Sequence, residues 1–322
     1  MNTGTRLPGT PEPMHFWNGF GGVKIAGDSW GDPNGPLVLL LHGGGQTRHA
    51  WKGTGEALGA AGYFVVAFDA RGHGDSDWAA DRNYGQDAMV QDLKCVVAAL
   101  GNRRPVLVGA SLGGGTSLVA IGEDQVDATA LVLVDVAPFI EKEGARNIGA
   151  FMGQKPEGFS SLEEVAEAIA KYQPHRKRPK NLDGLAKIIR LGKDGKYRWH
   201  WDPFIFRSGN IRSEKFDLEE RQQRLEACSV KLTLPTLLVR GKLSDLLSEE
   251  GAQAFLKLCP HSEYVSVAGA AHMVAGDRND VFGNSVIDFL TRVVPVGGQP
   301  VQKPRELHPH HVGNAGDIYD VP

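Results

Sequence analysis

The sequence predicts an α/β fold, with a mostly parallel central sheet flanked by helices and an inserted helical lid. Two observations carry this. Short apolar runs alternate with stretches of helical period along most of the chain, the pattern of strands joined by crossover helices. That alternation breaks between about Ala137 and Leu234, and a long insertion in an α/β chain usually covers a site.

Taken in order, Met14–Gly31 has a weak pattern and is expected to supply leading antiparallel strands. Leu37–Leu41, Phe64–Phe68, Val106–Val108, Leu131–Val134, Thr236–Val239 and Tyr264–Val267 read as buried strands. They are near-continuous rather than alternating, as in strands covered on both faces. Helices are expected at Trp51–Ala61, Asp87–Leu100, Leu112–Ile121, Glu249–Leu258 and Val281–Val293. Within the insertion, Ser161 and Glu164 form a capping box. It opens a helix with Leu162, Val165, Ala166, Ile169 and Ala170 on one face. Leu182, Leu185, Ala186 and Ile189 repeat that spacing, and a third helix is expected from Asp217, with Leu218 and Leu225. The resulting division is an N-terminal tail (1–13), a core (14–136 and 233–293), a lid (137–232) and a Pro-, Gly- and His-rich tail (294–322).

The chemistry concentrates where strands end. Gly109-Ala110-Ser111-Leu112-Gly113 lies between an apolar strand and a helix, the setting of a nucleophile elbow. The turn is tight, and residues larger than glycine at 109 or 113 are expected to clash. The amides at the start of the following helix favour negative charge. His42-Gly43-Gly44-Gly45 closes an earlier strand and matches an oxyanion loop. The amides of Gly44 and Leu112 are the expected donors, with His42 shaping the loop. His272, after the last strand, is the candidate general base. Asp245, in Arg240-Gly241-Lys242-Leu243-Ser244-Asp245, puts a carboxylate between serine and histidine in chain order, the order expected of a Ser–acid–His set.

These ordered motifs resemble the α/β-hydrolase superfamily, in its lid-bearing esterase, lactonase and haloperoxidase-like branch. The resemblance runs from about Trp17 to Val293. It includes Asp69-Ala70-Arg71-Gly72-His73-Gly74-Asp75-Ser76, which looks like a structural turn of the family. It implies a triad of Ser111, Asp245 and His272. Some relatives take the acid from the strand after the elbow, which makes Asp135 the alternative. Ester or lactone cleavage through an acyl-enzyme is then expected. Cofactor-free perhydrolysis, halogenation or oxygenation on the same fold is the alternative, and a non-catalytic binding protein is the least favoured reading. Ser111 argues against epoxide and haloalkane hydrolysis, which use an aspartate at the elbow.

Trp199, Trp201 and Phe204 in the lid are candidates to line a substrate pocket, with lid-to-core packing as the alternative. They suggest a bulky, mostly apolar ester or lactone. The basic run His175–Arg178 with Lys180 reads as a solvated lid face. His308, His310 and His311 lack nearby Cys or carboxylate ligands, so no metal is expected. No cofactor is expected either, because Gly113–Gly115 belongs to the elbow and nothing resembles a nucleotide fingerprint.

At 322 residues and 41% hydrophobic, the chain can bury a sizeable core. Its net charge of −3 gives no reason to expect nucleic-acid or anionic-membrane partners. Three scattered cysteines suit a reducing compartment. The first residues carry no apolar signal core, so a soluble, cytoplasmic protein is expected. The C-terminal tail leaves room for contact with a second copy, as in a homo-oligomer.

Overall fold

The computed structural model describes residues 4–174, 182–206, 218–272 and 279–297. The histidine-rich tail and the basic run at 175–180 lie outside these residues. The strands are β1 (Thr5–Arg6), β2 (His15–Asn18), β3 (Lys24–Trp30), β4 (Leu37–Leu41), β5 (Phe64–Phe68), β6 (Val106–Ala110), β7 (Ala130–Val134), β8 (Ile189–Leu191), β9 (Tyr197–Trp199), β10 (Thr236–Gly241) and β11 (Glu263–Val267). The helices are α1 (Lys52–Ala60), α2 (Gln86–Ala99), α3 (Leu112–Gly122), α4 (Lys142–Met152), α5 (Leu162–Tyr172), α6 (Leu218–Ser229), α7 (Glu249–Leu258) and α8 (Asn279–Val293).

Eight strands form the main sheet in the order β2-β3-β5-β4-β6-β7-β10-β11. From β5 to β11 every pairing is parallel, while β3 runs antiparallel to both its neighbours. The leading antiparallel strands read from Met14–Gly31 are therefore present. Leu37, Leu39 and Leu41 join the core on one face, with α2, α3 and α7. Val38 and Leu40 join the other, with Trp51, α1 and α8. Alternate side chains thus enter different cores, and both must be apolar. This is why the strands read as unbroken hydrophobic runs.

Register places the site. Ala110 pairs with Val134, and Gly241 with Val267. The residues just past these strand ends meet along one edge, where open parallel sheets gather ligand-binding groups.

The insertion at 137–232, read from the sequence as a lid, departs from that reading in three ways. Leu182–Ile189 is not a helix: a 3-10 turn at Asp183–Lys187 leads into β8, which pairs with β9 as an antiparallel hairpin. Gly192 and Gly195 turn that hairpin, and Ile189 faces inward from a strand. Second, β1 adds to the outer edge of β8 (Thr5↔Leu191, Arg6↔Arg190). The Thr10 hydroxyl also donates to the Ala186 carbonyl at 2.9 Å. The first residues, expected as a tail, are thus a strap on the lid. Third, α4 is a helix the sequence reading passed over. Gly144 and Gly149 gave it the look of a loop, but Ala145, Ile148 and Met152 form its buried stripe. A Cβ at Gly144 would run into the Asp245 backbone, so that glycine serves close packing on the β10–α7 loop. The capping box holds: Ser161 Oγ accepts from the Glu164 amide, opening α5. The apolar side chains of the lid and of α2 and α3 belong to one continuous core.

Candidate active site

Ser111 is the first residue after β6 and the N-cap of α3. Its φ of 45° and ψ of −104° lie outside the ordinary regions for a side-chain-bearing residue. Such backbone costs about 1–3 kcal/mol and persists only where surroundings over-determine it. Here the Ser111 amide donates to the Val134 carbonyl at 3.1 Å, and the Ser111 carbonyl accepts from Gly115 at 2.9 Å. The expected need for small neighbours is met. A Cβ at Gly109 would strike the Gly113 backbone, and one at Gly113 would strike the Leu41 carbonyl.

The loop after β4 is wired residue by residue. His42 is buried, and its Nε2 accepts from the Ala70 amide at 2.9 Å, which puts its proton on Nδ1 facing the Gly43 carbonyl. It thus shapes the loop as expected. The His42 carbonyl accepts from the Gly113 amide at 3.1 Å, tying the loop to the start of α3. Gly43 N–H donates to Gln46 Oε1, and Gly45 N–H to His73 Nε2. The Gly44 amide lies between these two engaged amides. Leu112 stands in the first turn of α3, where amides lack intrahelical partners.

The carboxylate that meets the histidine is Asp135, not Asp245. Asp135 Oδ2 lies 2.7 Å from His272 Nδ1, and its side chain is fully buried. Like Ser111 it is the first residue past its strand and has a positive φ, 51°. Its amide donates to the Val239 carbonyl at 2.7 Å, and its Oδ1 accepts from the Gly241 amide at 3.0 Å. Asp245 is exposed, with Asn147 Nδ2 at 3.4 Å as its contact. The reason is register. Asp135 directly follows a strand paired with the serine's strand, whereas Asp245 lies four residues beyond the end of β10 and is carried outward.

Ser244, the residue before Asp245, turns inward instead. Its hydroxyl donates to Asp135 Oδ2 at 2.5 Å and accepts from the amides of Leu246 and Leu247. The loop that sequence order nominated therefore anchors the carboxylate that meets His272. Ser244→Ala should lower kcat about tenfold at unchanged KM, the scale of one hydrogen bond to a charged group. Steady-state kinetics on a folded variant checks this, and unchanged kcat would show that Asp135 needs no such anchor.

The wider comparisons agree with this frame. Residues 36–176 match a family model described as the alpha/beta hydrolase fold. The chain is 28% identical over 261 residues to the 3-hydroxybutyrate-oligomer hydrolase of Cupriavidus necator, covering 77% of this chain and 87% of that one. It is 29% identical over 258 residues to an esterase of Mycobacterium tuberculosis, covering 77% and 80%. The crystal structure of E-2-(acetamidomethylene)succinate hydrolase superposes with a TM-score of 0.72 at 23% identity, over 86% of this chain and 99% of the other. These likenesses show that the chain has the α/β-hydrolase fold.

Within that hydrolase fold, the Asp69–Ser76 turn is structural, as the resemblance implied. Asp69 takes the Arg48 amide and guanidinium, each at 2.6 Å, and the Asp75 amide. Burial alone would raise Asp69, but Arg48 beside it holds its carboxyl below the usual range. Arg71 pairs with Asp92 through two nitrogens at 2.6 and 2.8 Å.

The aromatics of the insertion pack rather than stand open. Trp199 and Trp201 are 6% and 2% exposed and stack at 4.9 Å between ring centroids. His200 faces the turn at Gly74, and Asp202 accepts from the Tyr84 hydroxyl at 2.5 Å. Phe204 is half-buried under the Arg82 guanidinium. Trp201 and Met152 close over Gly45, where an added Cβ would press on both. Among the described residues no helix is long and apolar enough to cross a membrane.

Proposed function

We infer that this protein is a serine hydrolase, cleaving a carboxylic ester or lactone through an acyl-enzyme. The observation that carries this is the Asp135–His272 pair at 2.7 Å, set one strand from a strained Ser111. With Nδ1 committed to Asp135, His272 Nε2 is the nitrogen left to act as base. It takes the Ser111 proton as Oγ attacks the carbonyl carbon. The Gly44 and Leu112 amides receive the oxyanion. Collapse expels the alcohol, which takes its proton from His272. Water, deprotonated by the same nitrogen, then releases the acid and restores Ser111. In a lactone, acid and alcohol remain one molecule. Met152 and Trp201 present an apolar wall beside the oxyanion loop, which favours a bulky apolar acyl or alcohol group. The esterase and hydrolase relatives support the reaction class.

The test is intact-mass spectrometry after a fluorophosphonate probe, on wild type and Ser111→Ala, with p-nitrophenyl ester turnover in parallel. Single labelling and turnover that both vanish in the variant are expected. Folded wild type that neither labels nor hydrolyses esters would move the reading to peroxide or oxygenase chemistry on this fold.

A further inference from the structure

Three buried histidines meet behind the oxyanion loop. The His42 and His73 rings are 5.2 Å apart, and His73 and His200 5.8 Å. Backbone N–H groups donate to one nitrogen of each ring: Ala70 to His42, Gly45 to His73 and Gly74 to His200. The other nitrogen must then carry the proton, and in each ring it faces a backbone carbonyl: Gly43, Arg71 and Gly45 respectively. Every ring nitrogen is spent on main chain. Burial pushes all three below the ordinary histidine value, His73 to about 3. Neutral rings, each with one donor and one acceptor, are what this wiring requires.

Gly45 is the point where two of these rings converge. Its N–H goes to His73 Nε2 at 3.2 Å, and its carbonyl accepts from His200 Nε2 at 3.1 Å. Its φ of +76° belongs to a residue that has many other conformations open to it. Gly43 on the other side is tied to Gln46. Gly44 therefore stands between two fixed glycines. His73 comes from the turn after β5, but His200 comes from the lid. That part of the lid is itself held down. Arg190 donates to the Gly74 carbonyl at 2.8 Å and pairs with Asp75 at 3.0 Å.

We propose that His73 and His200 are positioning residues of the oxyanion loop, clamping Gly45 from core and lid so that the Gly44 amide stays aimed at the reacting carbonyl. The lid is then a fixed part of the oxyanion hole rather than a gate that swings clear of it. The catalytic half of this rests on the serine-hydrolase reading above; the clamp itself does not.

The experiment compares wild type with His73→Leu, His200→Leu, His200→Gln and Tyr84→Phe. Tyr84→Phe removes one hydrogen bond to the lid, at Asp202, while Arg190 still ties the lid to Gly74 and Asp75, and it leaves Gly45 untouched. Two quantities are read: hydrogen exchange of the peptide spanning Gly43 to Thr47, and kcat and KM on a p-nitrophenyl ester. Both leucine variants should exchange faster in that peptide and lose kcat about tenfold to a hundredfold at near-constant KM, up to the scale of a lost oxyanion donor. His200→Gln, whose amide can reach the same carbonyl, should recover most of the loss, and Tyr84→Phe should show neither effect. Folded leucine variants with wild-type exchange and kcat would overturn the clamp, as would Tyr84→Phe matching His200→Leu. Should a leucine variant not fold, His200→Gln decides alone, because wild-type-like exchange and kcat are required of it. If wild type proves inactive on esters, the serine-hydrolase reading fails, while the exchange data still uphold or reject the clamp.

Discussion

Asp135→Asn is expected to lower kcat by about 10⁴-fold, the scale seen when an orienting aspartate is lost from such a triad. The physical reason lies in one atom. Asp135 Oδ2 accepts at 2.7 Å from His272 Nδ1 and at 2.5 Å from Ser244. An asparagine that keeps the Gly241 bond through Oδ1 presents an NH2 group at the other position. It would donate to Nδ1, forcing the ring proton onto Nε2, and the base would arrive already protonated. Asp245→Asn should change kcat by no more than about twofold, as for most exposed sites. Its side chain faces solvent beside Asn147. Saturation kinetics on the two variants, with folding checked by circular dichroism, decides the matter. A dead Asp245 variant beside an active Asp135 variant would restore the chain-order assignment.

The contrast between these aspartates shows where sequence reasoning reached and where it stopped. The parallel sheet was legible because alternate side chains on each inner strand enter two cores, so every position had to be apolar. The elbow was legible because its glycines answer a steric need that is local in sequence. The carboxylate that meets His272 was not, because chain order and spatial order differ here. What decides it is register: Ala110 pairs with Val134, so the next residues, Ser111 and Asp135, share one level of the sheet edge. That pairing is a long-range fact, though both residues directly follow apolar runs, and equal offset from a strand end was the available signal. The β8–β9 hairpin was missed for a related reason. Leu185, Ala186 and Ile189 have helical spacing, yet β1 and β9 lie on either side of β8 and pull Ile189 into a strand. His200 carried no local sign of its contact with Gly45, 155 residues away.

Stability should fall as the solution is made mildly acidic, by up to about 4 kcal/mol between pH 7.5 and pH 5.5. His42, His73 and His200 are all buried and all held below the ordinary histidine value, chiefly by burial. Their neighbours do not reverse this. His42 feels Asp69, which raises it, and Arg48, which lowers it. His73 feels His42 and Asp69, while His200 feels His73, Arg190 and His42. In the unfolded chain each ring takes up a proton near pH ~6.5, whereas in the folded chain burial pushes that uptake to lower pH. The unfolded state therefore binds more protons, and folding free energy is lost as pH drops through ~6.5 and below. Each ring contributes about 1.4 kcal/mol per pH unit once below that point, and three rings together form a large fraction of an ordinary folding free energy of roughly 5–15 kcal/mol. Above pH ~7 the contribution is fully present and the curve should be flat. Urea midpoints across this range give the slope directly. A total loss near ~1.4 kcal/mol or less over this range would mean that at least two of the rings accept protons within the fold. Since each ring nitrogen already holds a backbone group, such a result would require the oxyanion loop to open in the folded protein.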